Sequence, residues 1–334
     1  MKIKCSIIIP CYNVAEFLPR LFDSIQRQKC NDMEYLFVDD GSVDDTGMLL
    51  DDFCNKNQTA KVLHQKNIGV CGARNAGLKN AQGDYVFFLD GDDYLTDNAT
   101  EIFANVVDGG ADIVCFKNLV QKGGYDAPKK LSMTTSQIPK GIYDVKSFLA
   151  FDDIAIGGEV FRLYRRQMLS EHQITFDEDL SMGEVTAFFI HCLVCSQTIQ
   201  MCDAAVMVYL VRLNSISRTV MFDKDIKIFD TLDRIKDYCD KYDMALKDMK
   251  AIKRSFVSFS LGFTINKYAK HGLPWCIEIA RCFDRINGNG YYRNCFRNIV
   301  FDSRSRKNTR VISLIVTLFP ARVAYRLMKL KSNS

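Results

Sequence analysis

Three carboxylates, those of Asp90, Asp92 and Asp93, follow directly after an apolar run at residues 85–89. Carboxylate oxygens are the ligands that hard divalent cations prefer, and water or phosphate completes their coordination. A bound cation would offset the repulsion between the carboxylates, and it could neutralise a diphosphate leaving group. A solvated turn rich in Asp is the structural alternative. The cluster by itself leaves both interpretations open.

The elements that must position these carboxylates are short apolar runs that alternate with helical patterns. Strands are predicted at residues 5–10, 34–38, 60–64, 85–89 and 112–116, and helices at residues 15–28, 46–56 and 72–80. This alternation is typical of a parallel, doubly wound sheet, in which ligands bind at the carboxyl ends of the strands. Tyr12, Asn13, Asp39 and Asp40 also follow predicted strands. We therefore expect them to lie at the same edge as the acidic cluster.

The later part of the chain has weaker patterns. Residues 121–140 are polar with two adjacent glycines and are predicted to form a loop. Residues 222–283 have amphipathic helical patterns. These patterns predict helices, rather than further alternating strands, in the last third of the chain.

Five motifs occur in a fixed order over the first 93 residues. They are Ile7-Ile8-Ile9-Pro10-Cys11-Tyr12-Asn13, Val38-Asp39-Asp40-Gly41-Ser42, Asn67-Ile68-Gly69 with Ala73-Arg74-Asn75, Gly83-Asp84-Tyr85, and Leu89-Asp90-Gly91-Asp92-Asp93. This series resembles the family 2 glycosyltransferases, which have the GT-A fold. The resemblance is strong over residues 1–110 and continues more weakly to Ser217. It implies an enzyme that uses a nucleotide-sugar donor.

The resemblance assigns donor contacts to individual residues. Tyr12 would stack on a flat base, and Asp40 would accept the uracil N–H because a carboxylate is an acceptor only. Arg74 would contact phosphate or base oxygens, and Arg212 resembles a residue near the diphosphate. The remaining donor contacts would come from Pro10, Asn13, Glu16 and Asp39. A solvated helix position is an equal alternative for Glu16.

The same resemblance gives the acidic cluster a role in catalysis. Asp90 and Asp92 match the DxD pair of the family, which would hold Mn²⁺ or Mg²⁺. Asp92 is the expected direct ligand and a catalytic residue. Asp93 would orient this loop or touch the sugar.

The segment at residues 181–185 departs from the family pattern at the position of the catalytic base. In Ser181-Met182-Gly183-Glu184-Val185, many relatives have Glu-Asp at the last two positions, and that Asp is taken as the base. Valine cannot accept a proton, so Glu184 is the nominated stand-in. A structural or acceptor-binding acid is the alternative role for Glu184. The carboxylates at residues 177–179 are weaker candidates for the base.

Charge is distributed unevenly along the chain. Residues 1–215 have 20 Lys and Arg against 29 Asp and Glu, whereas residues 216–334 have 24 against 11. The basic stretch at residues 293–331 includes the apolar block at residues 311–319. Such a segment can lie in a membrane interface with its cations among anionic headgroups. A helix packed on the protein's own core, or a dimer contact, is the alternative.

Cysteine usage and the amino terminus bear on the cellular compartment. The 13 cysteines form no disulfide-like framework, which is typical of reduced thiols in the cytosol. Residues 1–4 run directly into a predicted strand, so we expect no signal peptide. A cytoplasmic protein is predicted, with peripheral attachment to the cytoplasmic face of a membrane through the carboxyl-terminal segment.

Two other enzyme classes share a strand–helix–strand beginning. A dinucleotide-dependent oxidoreductase needs a GxGxxG turn after the first strand, but Pro10-Cys11-Tyr12-Asn13 occupies that turn. A nucleotidyltransferase would need a glycine-rich phosphate loop near the amino terminus, which this sequence lacks. Neither class matches the motifs as well as a glycosyltransferase does.

Taken together, these patterns and the resemblance predict an α/β protein with a GT-A type doubly wound mixed sheet and a C-terminal helical extension. Residues 1–217 would form the glycosyltransferase domain, with a nucleotide-binding half at 1–110 and an acceptor half at 111–217. Residues 218–334 would form the extension.

The expected reaction transfers a sugar from a nucleotide-diphosphate sugar, UDP-linked by resemblance, to a saccharide or lipid-linked acceptor in polysaccharide biosynthesis. It would be a metal-assisted inverting displacement, and no nucleic acid partner is expected. The alternative, motivated by Val185, is a non-catalytic protein that binds sugar nucleotides or carbohydrates.

Overall fold

The computed structural model describes most of the first 211 residues and several helices after them. The described residues are 2–116, 118–123, 129–132, 138–151, 161–211, 227–242, 252, 277–288, 297, 314–316 and 318–332. The chain divides into two compact units. The first unit comprises Met1–Phe148, Gly158–Asp179 and His191–Ser215, and the second comprises Leu149–Gly157, Leu180–Ile190 and Ile216–Ser334.

Strands and helices alternate through the first part of the chain, as the sequence predicts. The strands are β1 (Cys5–Cys11), β2 (Met33–Asp39), β3 (Ala60–His64), β4 (Tyr85–Phe88), β5 (Tyr94–Leu95), β6 (Ile113–Phe116), β7 (Asn118–Gly123), β8 (Lys129–Ser132), β9 (Gly141–Asp144), β10 (Arg162–Arg165), β11 (Thr198–Cys202) and β12 (Met207–Val211). The helices are α1 (Leu18–Gln26), α2 (Thr46–Lys56), α3 (Val70–Asn80), α4 (Ala99–Val107), α5 (Val145–Leu149), α6 (Arg166–Glu171), α7 (Glu184–Cys195), α8 (Ile228–Lys241), α9 (Ile277–Gly288) and α10 (Ala321–Ser332).

The first unit is built on an eight-stranded mixed sheet. Its strand order is β3-β2-β1-β4-β10-β6-β11-β9. Strands β1 to β4 are parallel to one another, as are β6 and β11. Strand β10 runs antiparallel between β4 and β6, and β9 runs antiparallel to β11. The predicted α/β class with a mixed sheet is confirmed.

The parallel half of this sheet is buried on both faces, which explains its continuous apolar runs. Every residue of β1, β2 and β4 is buried, as is usual for parallel strands covered by helices. Helix α3 approaches β1 closely at Gly77, where a Cβ atom would lie 2.3 Å from Ile8 Cγ2. Glycine is therefore required at this position to let the helix and the strand pack.

A second sheet occupies part of the segment that the sequence predicted to be a loop. Strands β7 and β8 lie within or beside residues 121–140, and the strand order is β5-β12-β7-β8. Strand β12 pairs in parallel with β7, so that Val208 lies opposite Val120. The loop prediction was wrong because β8 pairs with β7 and β7 pairs with the distant β12, and a local polar pattern reveals neither partner.

The second unit has a helical core over its described residues. Buried apolar side chains face inward from three helices: Ile228, Phe229, Leu232 and Ile235 from α8, Cys282, Phe283 and Ile286 from α9, and Ala324, Tyr325 and Met328 from α10. Helix α9 contacts α10, and Arg285 of α9 lies 2.8 Å from Asp233 of α8. Within the described residues, no helix is both long enough and apolar enough to cross a bilayer.

Candidate functional site

The acidic cluster lies at the carboxyl end of β4. Asp90, Asp92 and Asp93 each offer a carboxylate oxygen, and these three atoms lie within 4.8 Å of one another. Asp93 is buried, and its Oδ1 accepts a hydrogen bond of 2.9 Å from the backbone N–H of Leu210 in β12. Asp90 and Asp92 are only half-buried. Asp93 therefore fixes this loop against the second sheet, while the other two carboxylates remain accessible.

A buried arginine stands beside the cluster. Arg74, in α3, is 3% exposed, and its Nη2 donates a 2.8 Å hydrogen bond to Asp90 Oδ1. Its guanidinium lies over the ring of Phe176, 5.2 Å from the ring centroid. This cation offsets part of the repulsion among the three carboxylates. Arg74 thus lies beside the acidic residues and is bonded to one oxygen of Asp90.

The loop that carries the cluster packs against the end of β1. A Cβ atom at Gly91 would lie 3.0 Å from the backbone oxygen of Pro10 and 3.1 Å from Cys11 Sγ. This spacing leaves little room for any side chain at position 91. Pro10 is buried directly beneath the acidic loop.

The loops after β1 and β2 are joined by side-chain hydrogen bonds. Asn13 has a left-handed backbone, with φ of 51°, and its Oδ1 accepts from the backbone N–H of Val43 at 2.9 Å. Its own backbone N–H donates to Ser42 Oγ at 3.1 Å. Tyr12 is half exposed beside it, and Glu16 is exposed in the turn before α1. Asn13 therefore positions a loop that presents Tyr12 to solvent.

The carboxylate of Asp40 is buried and organises the loop after β3. Its Oδ1 accepts from Gln65 Nε2 at 2.7 Å and from the N–H of Ile68 at 3.0 Å. Its Oδ2 accepts from the N–H of Gly69 at 2.8 Å. A carboxylate has about four acceptor positions. Three of them are used within the protein, which leaves room for one further donor.

Both carboxylate oxygens of Asp39 have hydrogen-bond partners. Its Oδ1 accepts from the N–H of Ser42 at 3.0 Å, and its Oδ2 lies 2.9 Å from His64 Nδ1. Burial alone would raise the pKa of Asp39, but the hydrogen bonds from Ser42 and His64 outweigh it and lower that pKa. His64 also contacts Asp51, with Nε2 3.1 Å from Oδ1. Sequence motifs missed His64 and Gln65, although their place at the end of a parallel strand next to β2 puts them opposite Asp39 and Asp40.

A further loop is fixed against α3 by Asn75. The Asn75 side chain accepts from the N–H of Phe176 at 2.8 Å and donates to its carbonyl at 2.9 Å. It also donates to Glu178 Oε1 at 2.9 Å. Because Phe176 contacts Arg74, the carboxylates at residues 177–179 are part of the same region of the first unit as the acidic cluster.

The remaining predicted residues belong to other parts of the chain. Glu184 is the first residue of α7 and is half-buried in the second unit, followed by the buried Val185. Arg212 lies outside the described residues. The structure thus brings together most of the predicted donor and metal residues, all from the first unit.

Comparison with known proteins gives a consistent result. The sequence profile of glycosyl transferase family 2 matches residues 6–173. The chain is 30% identical over 220 residues to the uncharacterized glycosyltransferase EpsJ of Bacillus subtilis, covering 64% of this chain and 62% of EpsJ. It is 36% identical over 115 residues to a cholesterol galactosyltransferase of Borreliella burgdorferi, covering 34% of this chain and 32% of that protein. The chain therefore spans less than two thirds of the length of these curated relatives.

Solved structures with a similar fold are also known. Staphylococcus aureus TarS 1-349 in complex with UDP has a TM-score of 0.74 at 18% identity, covering 99% of this chain and 91% of that one. The mannosyltransferase PcManGT of Pyrobaculum calidifontis, in complex with GDP-Man and Mn2+, has a TM-score of 0.53 at 14% identity, covering 99% and 88%. At these identities the likeness concerns the fold alone, and it confirms the GT-A fold.

Proposed function

The chain belongs to glycosyl transferase family 2, and from this premise we infer that it transfers a sugar from a nucleotide-diphosphate sugar to a saccharide or lipid-linked acceptor. The observation that carries the proposal is the cluster of Asp90, Asp92 and Asp93 beside the buried cation of Arg74. The cluster lies at the carboxyl edge of the sheet, where ligands bind in such folds. A diphosphate leaving group is the chemistry that this arrangement suits.

The donor is proposed to be UDP-linked. Asp40 retains an acceptor position for the N–H of uracil, and Tyr12 is exposed enough to stack on a base. TarS, which shares the fold, has been solved with UDP and with UDP-GlcNAc. These observations support a uridine nucleotide, with Pro10, Asn13, Glu16 and Asp39 shaping the same pocket and Arg212 contacting the diphosphate.

The acidic cluster fits a hard divalent cation, Mn²⁺ or Mg²⁺, because all of its side chains offer carboxylate oxygens. Asp92 would hold the cation, together with the oxygen of Asp90 that does not bond to Arg74. Asp93 accepts a hydrogen bond from the backbone of β12 and would keep the loop in place. When bound, such a cation supplies positive charge to the departing diphosphate. Arg74 would add a second, fixed positive charge at the same place.

An inverting displacement needs a base to deprotonate the acceptor hydroxyl. We assign this role to Glu184, since Val185 cannot accept a proton. Glu178 is the competing candidate because Asn75 holds it in the first unit near Arg74. The buried Val185 also favours a second candidate function, a non-catalytic protein that binds sugar nucleotides or carbohydrates.

A donor-turnover assay separates the two functions. The full chain is incubated with isotope-labelled nucleotide sugars and Mg²⁺ or Mn²⁺, and the released nucleoside diphosphate is measured. We expect release that is abolished by a chelator. The variant Glu184→Gln should lower turnover while leaving UDP binding unchanged. Donor binding without any release from a panel of sugars would instead establish the binding protein.

We also propose peripheral attachment to the cytoplasmic face of a membrane through the extension at residues 218–334. Four apolar side chains near its end are exposed: Leu314, Leu318, Phe319 and Val323. Arg322 and Arg326 are exposed beside them. This combination suits an interface with anionic headgroups, where a lipid-linked acceptor would be presented.

A further inference from the structure

His64 lies between two carboxylates at the carboxyl end of β3. Its Nδ1 is 2.9 Å from Asp39 Oδ2, and its Nε2 is 3.1 Å from Asp51 Oδ1. A neutral imidazole has one donor and one acceptor, whereas the imidazolium ion has two donors. Only the charged ring can therefore donate to both carboxylates at once. We call this arrangement of Asp39, His64 and Asp51 the imidazolium bridge.

We propose that charged His64 is a positioning residue for nucleotide binding, which it supports by holding Asp39 and the two loops that Asp39 anchors. The proposal rests on the donor site proposed above, and it adds a residue that no sequence motif indicated. His64 would not touch the nucleotide. It would act through the shape of the loops that do.

The first route from His64 to the donor site runs through Ser42. Asp39 accepts from the N–H of Ser42 at 3.0 Å, and Ser42 Oγ accepts from the N–H of Asn13 at 3.1 Å. Asn13 in turn accepts from the N–H of Val43 at 2.9 Å. The first bond fixes the loop after β2 to Asp39, and the other two join this loop to the one that presents Tyr12. Releasing Asp39 would therefore loosen both loops together.

The second route runs through the next residue in the chain. The N–H of Gln65 donates to the backbone oxygen of Asp39 at 3.0 Å, and Gln65 Nε2 donates to Asp40 Oδ1 at 2.7 Å. His64 and Gln65 thus bind the two adjacent carboxylates at the end of β2. A shift of His64 would also displace the partner that fixes Asp40.

The charges around His64 determine the direction of the pH effect. Asp39 faces it from β2 and Asp51 faces it from α2, while Lys61 and Lys66, on its own strand and the following loop, are exposed. The hydrogen bond to Asp39 raises the pKa of His64, burial opposes this effect, and Asp51 adds to the increase. The stabilising effect of a raised histidine pKa is complete below the unfolded-state pKa and is lost as pH rises through the folded-state pKa.

Acid affects the bridge differently. Burial acts to raise the pKa of Asp39, but its hydrogen bonds with Ser42 and His64 lower it overall. The stabilising effect of a lowered carboxyl pKa is lost only as pH falls through that lowered value. The contact between Asp39 and His64 is therefore intact from the lowered pKa of Asp39 up to the raised pKa of His64. UDP affinity should weaken on the alkaline side of this window.

The test compares UDP binding with the ionisation of His64 in the full chain. Calorimetry with UDP and Mg²⁺ gives the dissociation constant from about pH 6 to about pH 9, a range that includes the ordinary imidazole pKa of about 6.5. The imidazole C–H signal of His64, identified by its loss in His64→Gln, gives the pKa of the ring. We expect the dissociation constant to rise about threefold to tenfold across the range, with a midpoint at that pKa.

Three variants separate positioning from a merely structural role. Asp51→Asn should lower the pKa of His64 and move the midpoint of UDP binding to lower pH by the same amount. His64→Gln should bind UDP more weakly than the wild type, and its dissociation constant should no longer show the pH-dependent rise that the bridge causes. His172→Gln, which alters an exposed histidine of the same unit, should retain the wild-type profile. Ionisation of UDP itself is common to all four proteins, so only differences between them report on His64.

The possible outcomes lead to different conclusions. A binding midpoint that does not move in Asp51→Asn, while the NMR pKa does, would overturn the proposal. Unchanged UDP affinity in His64→Gln would overturn it as well. If the wild-type protein binds no uridine nucleotide at any pH, the proposed donor is wrong and the role of His64 in binding it falls too. The NMR titration distinguishes these failures because it reports on the bridge without a nucleotide.

Discussion

Asp40 illustrates how far a motif alone can predict a residue's role. The motif indicates an acceptor at the end of β2, and the structure places a buried carboxylate there. It also adds three donors from the loop after β3, namely Gln65, Ile68 and Gly69. These partners are more than 20 residues away in the sequence, and only the parallel register of β2 and β3 brings them close. The sequence predicts the chemical type of such a residue but not its neighbours.

The structure changes what replacing Asp40 should do. Asp40→Ala would remove the proposed acceptor for uracil and would also leave two backbone N–H groups without their partner. We expect UDP binding to weaken by about 1–3 kcal/mol, and stability to fall by a similar amount, because unpaired buried donors are costly. Gln65→Ala is the control, since it removes one donor to Asp40 and disturbs the loop but keeps the carboxylate itself. Calorimetry and thermal unfolding measure the two effects. Equal UDP affinities for both variants would show that Asp40 does not contact the base.

Asp92 is expected to matter for activity rather than for folding. It is half-buried at the acidic cluster, whereas Asp93 is the carboxylate that fixes the loop. Asp92→Asn should therefore lower donor turnover at least about 100-fold, the usual scale for removing an electrostatic contribution to a transition state, while leaving the melting temperature nearly unchanged. Asp97→Asn is the matched control because Asp97 is an exposed acid on the same segment. Full turnover in Asp92→Asn would contradict the proposed metal site.

At the level of elements, local patterns predicted the parallel half of the large sheet well. The strand at residues 60–64 and the helix at residues 46–56 have the bounds that the sequence indicates. Asp44, two residues before the start of that helix, accepts from the N–H of Thr46 at 3.0 Å. Apolar strands buried on both faces leave a strong signal in the sequence. Strands β7 and β8 leave a weak one because strand pairing, rather than a local apolar run, defines them: β7 pairs with the distant β12, and β8 pairs with β7.

Close packing of α3 on β1 gives a prediction about glycine. Gly77→Ala would place a Cβ 2.3 Å from Ile8 Cγ2, and Ile8 is fully buried in the sheet. We expect the free energy of unfolding to fall by about 1–3 kcal/mol, the usual cost of overpacking a core. Gly72→Ala in the same helix is the matched control. Its new Cβ would meet the end of the exposed Ile68 side chain, which can move aside.

Denaturant unfolding of the two variants separates these effects. Gly72→Ala should lie within about 1 kcal/mol of the wild type, because alanine also favours the helix. A loss of stability that is equal in both variants would point to a general effect of glycine replacement. That result would contradict the claim that contact with Ile8 is decisive.

At the scale of the whole molecule, charge separates along the chain. The acidic surplus lies in residues 1–215, which include the carboxylate cluster, and the basic surplus lies in residues 216–334. A basic surface can concentrate an anionic partner, and in the proposed membrane attachment the exposed apolar side chains near residue 318 would add a second kind of contact. The division at residue 217 remains our proposal for the boundary between the transferase domain and the extension.

The structure determines how the proposed membrane contact should be tested. Deleting the end of the chain is unsuitable because Ala324, Tyr325 and Met328 of α10 are buried in the second unit. Leu318 is 65% exposed and Phe319 is 43% exposed, so replacing both with serine removes apolar surface without opening the core. The double variant should retain the wild-type melting temperature and donor turnover.

Binding to anionic liposomes should decrease at least about tenfold in this double variant, since each large apolar side chain contributes about 1.5–3 kcal/mol when fully buried. Sedimentation with liposomes measures it at low and high salt, and the wild-type protein should bind less at high salt because salt screens its arginines. Ile142→Ser is the control, as Ile142 is an exposed apolar residue of the first unit. If the wild-type protein does not bind anionic liposomes even at low salt, the proposed membrane attachment is wrong, and the exposed apolar residues contact something other than a membrane.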